Sequence, residues 1–151
     1  MLCGDVQTIQ TLFARFSNLM IMSSDQPTVL LMEDDEEVRE AVAKFLTTKG
    51  YRVVLAPNEQ DSIKQIADSQ FRIGLILVDQ DMNSDEALAV GRRVRNHFRM
   101  GENVPVVVIP LEFREEMEGT DEGVGGRDYK TYLSNNQQLE NLLHRLLPQK
   151  P

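Results

Sequence analysis

From residue 28 onward the apolar positions alternate between short continuous runs and three-to-four-residue spacing. The run Val29-Leu30-Leu31-Met32 predicts a strand. Val38, Ala41, Val42, Phe45 and Leu46 then predict a helix with one apolar face, closed by Gly50 as a C-terminal cap. Residues 52–56 predict a second strand, Ile63, Ile66 and Ala67 a short helix, and residues 73–78 a third strand. That third run is almost wholly apolar, which suits a strand covered on both faces in a parallel sheet. Leu88, Gly91, Val94 and Phe98 give the next helix its buried side, and residues 104–109 predict a fourth strand. The acidic stretch 112–122 takes the place of a fourth helix, but it has little apolar face and is expected to be the loosest element. Residues 129–133 predict a fifth, less apolar strand, and Leu139, Leu142, Leu143, Leu146 and Leu147 a strongly amphipathic last helix. Five strands alternating with about five helices imply a doubly wound α/β sandwich.

Ahead of this unit, Val6, Ile9, Phe13, Phe16 and Met20 recur at helical spacing, so residues 1–22 predict an amphipathic helix and residues 23–27 a linker. The helix packs on its own domain, precedes a start at Met22, or meets a partner. The expected organisation is an extension over 1–27, one domain over 28–148 and a short tail over 149–151.

Composition narrows the function. A chain of 151 residues with 41% hydrophobic and 26% charged side chains fits one ordinary soluble domain. Its longest apolar runs, such as residues 104–111, fall far short of the roughly 20 residues needed to cross a bilayer. The net charge of -8 repels nucleic acid phosphates and anionic lipid, which disfavours both as partners. With Cys3 as the one cysteine, an internal disulfide and a thiolate zinc cluster are excluded. The N-terminus, broken by Asp5, Gln7, Gln10 and Arg15, fails as a secretory signal, so a cytoplasmic location is expected.

In open parallel sheets, ligands bind beyond the carboxyl ends of the strands. Acids dominate that edge here: Glu33, Asp34 and Asp35 follow the first strand, Asp79 and Asp81 the third. With the first and third strands adjacent, Glu33, Asp34 and Asp79 converge. Such crowded carboxylates either hold a proton or bind a hard cation such as Mg²⁺. The bland alternative is that residues 33–36 cap the first helix and Asp79 ends a strand.

Over about residues 28–147 these residues resemble the receiver domain of two-component response regulators. Val29-Leu30-Leu31-Met32-Glu33-Asp34-Asp35 is similar to that family's first strand and acidic pair. Ile76-Leu77-Val78-Asp79-Gln80-Asp81-Met82 is similar to the strand that ends in its phosphoacceptor aspartate. The resemblance implies a five-stranded parallel sheet in the flavodoxin-like order 2-1-3-4-5. It also implies Mg²⁺ held by Glu33, Asp34, Asp79 and the backbone carbonyl of Asp81. Asp79 would accept a phosphoryl group from a sensor histidine kinase or phosphotransfer protein, and Tyr129 matches the switch aromatic.

Two positions depart from the pattern. Pro110 stands where the family keeps a Ser or Thr, and Tyr132, followed by Leu133, stands where it keeps Lys-Pro. Lys130 lies two residues earlier on the same strand face and is the candidate substitute cation. Phosphoryl transfer depends on positioned positive charge and hydrogen bonds, and loss of one such donor costs ~3 kcal/mol. The leading expectation is a non-enzymatic, stand-alone receiver in a phosphorelay that signals to a downstream protein by contact. The alternative is a degenerate receiver acting as a phosphorylation-independent interaction module. A third reading is a small Mg²⁺-dependent phosphatase with Asp79 as nucleophile and Asp81 as acid; it lacks a cap domain and a matching lysine. Asp79-Gln80-Asp81 as a sugar-transferase metal pair, Gly123, Gly125 and Gly126 as a phosphate loop, and His97 and His144 as catalysts are weaker readings. The acidic run 112–122 reads as a solvated face or as a docking site for a basic partner.

Overall fold

A computed structural model describes residues 26–148; the expected N-terminal helix and the tail lie outside the described residues. Strands β1 (Thr28–Glu33), β2 (Arg52–Ala56), β3 (Leu75–Asp79), β4 (Val106–Val108), β5 (Asp121–Gly123) and β6 (Tyr129–Thr131) form one sheet. Helices α1 (Glu36–Thr48), α2 (Glu59–Ser69), α3 (Ser84–His97) and α4 (Asn136–Leu146) cover its two faces. The apolar runs are continuous because alternate residues of each strand serve opposite faces. Leu30, Met32, Ile76, Val78, Val106 and Val108 join α2 and α3 residues such as Ile66 and Val94 in one core. Val29, Leu31, Leu75, Leu77 and Val107 join Leu46 of α1 and Leu139, Leu142, Leu143 and Leu146 of α4 in the other.

Each of the four described α-helices starts at an acid or amide that accepts a backbone N–H: Asp35 from Val38, Asn58 from Asp61, Asn83 from Glu86 and Asn135 from Gln138. These caps satisfy amides that the first turn otherwise leaves unpaired, and they set the exit directions of the loops at the carboxyl edge. α1 stops at Thr48, just before Gly50, as the sequence predicts.

The strand order is β2-β1-β3-β4-β6-β5. The five parallel strands keep the expected 2-1-3-4-5 arrangement, but the sheet has six strands and the described residues hold four α-helices. The correction lies in the acidic stretch. Where a fourth helix was expected, a 3₁₀ turn at Glu115–Met117 leads into β5, which runs antiparallel to β6 with Asp121 opposite Thr131 and Gly123 opposite Tyr129. A helix fails there because residues 112–122 lack an apolar stripe to bury. Gly119 also adopts φ +82° just before β5, a conformation that ends helical winding at little cost only for glycine. Three strands are also shorter or shifted: β3 begins at Leu75, β4 covers Val106–Val108, and β6 ends at Thr131.

Candidate functional site

β1 and β3 are neighbours in parallel register, and their last pair is Glu33 with Asp79. Two acids therefore end adjacent strands at the same level. An open pocket above them is lined by Glu33, Asp34, Asp35, Asp79, Gln80, Asp81 and Leu111. The loops on either side are tied to this pocket by hydrogen bonds. Asp34 Oδ2 accepts the Asp81 amide at 3.2 Å, and Glu33 Oε1 accepts the Asp35 amide at 3.0 Å. Arg39 of α1 donates to the Glu33 carbonyl at 2.8 Å, and the Gln80 side chain donates to the Pro57 carbonyl at 2.9 Å.

Glu33 is buried, and its Oε2 has no hydrogen-bond partner among the described residues. Burial, followed by the close approach of the Asp79 carboxyl, pushes its pKa up to about 9, with the Asp35 amide pulling the other way. Burial and the Asp79 carboxyl thus favour the protonated form of Glu33 when no cation is bound. Among the described residues, no three Asp, Glu, His or Cys side chains already converge as ligands of one ion, and Asp34 is turned toward the Asp81 amide. A buried carboxylate oxygen without a partner, flanked by two further acids at the floor of an open pocket, is nevertheless a donor set that suits a hard, partly hydrated cation.

The structure separates the other candidates from this group. Lys130 is nearly buried, and its Nζ lies 2.7 Å from Asp85 Oδ1 at the start of α3. Burial pulls the Lys130 pKa down, but the Asp85 carboxylate outweighs it and holds the ammonium above its ordinary value. Lys130 shares the register level of Val108, which is opposite Val78 on β3. Its side chain therefore serves the α3 face below the rim, and its charge is directed to Asp85. Tyr129 is half-buried on the α4 face, with the Arg145 guanidinium 5.5 Å from its ring centroid. Pro110 and Tyr132 share a shallow cleft with Leu111, Phe113 and Leu133 beside the acid pocket.

One rim residue was not legible in the sequence. Glu112 Oε1 accepts the Ser84 amide at 2.9 Å, so the loop after β4 is fastened to the first turn of α3. That amide hydrogen bond, chiefly, holds the Glu112 carboxyl below its usual range. Glutamate two residues after Pro110 gives no local signal for a contact 28 residues away. His97 is exposed on α3 and meets the Phe98 ring edge-on, at 4.8 Å between centroids. Gly125 and Gly126 form the turn that leads into β6.

A parallel sheet of this order with acids at the ends of β1 and β3 defines the receiver class of α/β domains. The family model described as the response regulator receiver domain matches residues 29–146, and the chain belongs to that family. The response regulator MprA of Mycolicibacterium vanbaalenii is 29% identical over 120 residues, covering 78% of this chain and 48% of MprA. Protein PetR of Rhodobacter capsulatus is 27% identical over 103 residues, covering 68% of this chain and 42% of PetR. The chain therefore spans less than half the length of these relatives. Among solved structures, Vibrio cholerae chemotaxis protein CheY4 matches with a TM-score of 0.60 at 22% identity, over 81% of this chain and 99% of CheY4. Thermotoga maritima TrrA, in complex with Mg²⁺ and BeF, matches with a TM-score of 0.57 at 17% identity, over 80% of this chain and 99% of TrrA. A further TrrA structure is a complex with the histidine kinase ThkA. The likeness to these structures concerns the fold. The family defines a signalling domain, and no helix among the described residues is long and apolar enough to cross a membrane.

Proposed function

We propose that this receiver domain takes a phosphoryl group on Asp79 from a phosphohistidine of a sensor kinase or phosphotransfer protein and passes the signal on by contact with a downstream protein. The observation that carries this reading is the in-register pairing of Glu33 with Asp79 at the rim, with Asp34 holding the Asp81 backbone beside them. An oxygen of Asp79 attacks phosphorus; an O–P bond forms while the N–P bond breaks, and the imidazole nitrogen leaves with the electron pair. Glu33, Asp34, Asp79 and the Asp81 carbonyl are the groups that would hold Mg²⁺. When bound, the ion supplies positive charge to the phosphoryl oxygens and allows the neighbouring carboxylates to ionise together. Asp34 orients the loop that follows β3 through its bond to the Asp81 amide.

A second reading has its own support. Pro110 offers no hydroxyl to the phosphoryl group, and the Lys130 ammonium is directed to Asp85. On these grounds the domain acts as an interaction module whose partner does not depend on phosphate. Intact mass after incubation with Mg²⁺ and acetyl phosphate separates the two. A gain of one phosphoryl group, lost in Asp79→Asn and labile to hydroxylamine, supports phosphotransfer. An unchanged mass under kinase and small-donor conditions alike supports the second reading.

A further inference from the structure

The sheet ends in β5, and the hydrogen bonds on either side of that strand fix which of its backbone groups are in use. Tyr132 N–H donates to the Thr120 carbonyl at 2.9 Å, and Val124 N–H donates to the Asp128 carbonyl at 3.0 Å. In an antiparallel pair, residues that bond to the partner alternate with residues that point away. Thr120, Glu122 and Val124 therefore face β6, and the N–H and C=O groups of Asp121 and Gly123 face outward. β5 is the terminal strand of the sheet, so no other described strand pairs with that side. Native proteins blunt such an edge with a very short strand, charged side chains, proline or a bulge, or cover it with a helix or loop. β5 has three residues, two of them acids, which makes its outer side hostile to an anionic strand, but residues 115–124 contain neither lysine nor proline, and a strand stands where the sequence predicts a helix.

We propose that the free edge of β5 is a docking site for an extended, basic segment of a partner protein, which adds as a further strand. Charge selects this occupant. The approach to the edge carries Glu115, Glu116, Glu118 and Glu122, with Arg114 drawn to Glu116 at 3.2 Å, and Glu115 and Glu118 are exposed. A second copy of this chain, itself at -8, meets like charge there, so edge-to-edge self-association is opposed and a lysine- or arginine-bearing strand is favoured. Asp121 does not spend its carboxylate on the partner. It accepts from Thr131 Oγ1 at 2.6 Å and Gln138 Nε2 at 3.0 Å, which holds the strand flat against β6 and α4 and keeps its outer groups aligned. Main-chain pairing with the edge supplies affinity, and side chains beside Glu122 supply selectivity, as in other cases of strand addition.

The test uses the full chain, ¹⁵N-labelled and titrated with a blocked hexapeptide of alternating lysine and threonine, against one of alternating glutamate and threonine. Saturable amide shifts centred on Asp121 and Gly123 with the basic peptide, together with slower hydrogen exchange at these two amides, are expected. The acidic peptide should bind at least fivefold more weakly. Gly123→Pro removes one outward N–H without touching a bond to β6 and should weaken binding at least fivefold. Should that variant unfold, Glu122→Gln replaces it and should narrow the difference between the two peptides. Shifts spread over the acidic surface without a maximum at the edge would overturn the proposal. So would equal binding of both peptides, or a Gly123→Pro variant that folds and binds unchanged. Slow exchange at both amides before any peptide is added, or dimerisation in sedimentation, would assign the edge to this chain itself and also overturn it.

Discussion

Arg95 and Asp128 meet end to end: Nη1 donates to Oδ1 at 2.8 Å and Nη2 to Oδ2 at 3.2 Å, and both residues are less than one-tenth exposed. Arg92 adds a bond to Oδ2 at 3.0 Å and the Val106 amide one to Oδ1 at 2.9 Å, so one carboxylate joins α3, β4 and the entry to β6. Burial opposes ionisation of Asp128, but these donors outweigh it and hold the carboxyl below its ordinary 3.8. A group whose folded-state value is depressed stabilises the fold at pH above its unfolded value, and that contribution disappears as pH falls through the lower folded-state value. Asp128→Ala is expected to cost about 3–5 kcal/mol at pH 7, the cost of stranding a buried partner. In Asp128→Asn the urea midpoint should fall at pH 7 and converge on the wild type below pH 3.8. Parallel curves down to pH 2 would show that the charge is not what the arginines hold.

Glu33 carries the opposite sign. With its pKa at about 9 against 4.5 in an unfolded chain, the folded state binds more protons between these values, and stability declines as pH rises through that window. The slope is at most about 1.4 kcal/mol per pH unit for one group. Glu33→Gln should flatten the decline, read from melting temperature against pH without added metal.

Mg²⁺ is expected to stabilise the native chain, by about 1.4 kcal/mol when the ion is tenfold above its dissociation constant. Asp34→Asn should weaken the effect, both by loss of a carboxylate and by loosening the Asp81 loop. A melting temperature that does not move across millimolar Mg²⁺ would count against Glu33, Asp34 and Asp79 as a metal site.

Lys130→Met should leave the rate of Asp79 phosphorylation within about twofold of wild type, because the ammonium is held on Asp85. A larger drop, measured by the initial rate of acyl phosphate formation, would show that Lys130 leaves Asp85 and reaches the phosphoryl group. The same geometry sets the expectation for switching. Beryllium fluoride with Mg²⁺ should shift amide signals near Asp34 and Asp79 but leave Tyr129 and α4 nearly in place. Pro110 gives the phosphoryl group nothing to pull, and Arg145 covers the Tyr129 ring. Large shifts at Tyr129 retained in Lys130→Ala would identify another coupling route.

Gly91 lies where α3 crosses β4, and a Cβ there would stand 2.4 Å from Val106 Cγ1. Gly91→Ala is expected to destabilise the domain by about 1–3 kcal/mol through overpacking, despite alanine's better helix propensity. Chemical denaturation checks the sign: a gain in stability would show that α3 can move away from the sheet without loss.

The parallel part of the fold was legible because Val29–Met32 and Leu75–Val78 are continuous apolar runs too short for a helix, which suits strands buried on both faces. The acids at the rim were legible for a related reason: strand ends are recognisable, and the register then places Glu33 beside Asp79. β5 was not legible. Asp121, Glu122 and Gly123 bury no apolar side chain and show no alternation, so the strand exists through its pairing with β6, which no local pattern encodes. Asp128 and Glu112 were missed on the same grounds, since their partners lie 22 to 36 residues away. Lys130 was placed on the correct strand, but the partner it takes depends on where Asp85 projects from α3.

The β5–β6 hairpin also changes how the last strand finds its place during folding. A parallel strand ordinarily waits for a crossover to bring distant parts of the chain together, and that search is slow. Here Gly123 and Tyr129 are separated by five residues, and hairpins of this kind close in about 1–10 μs. β6 can therefore reach β4 as part of a preformed ribbon, its register already set on one side. Docking of that ribbon on β4 would also place Asp128 between Arg92 and Arg95, which hold it in the native fold.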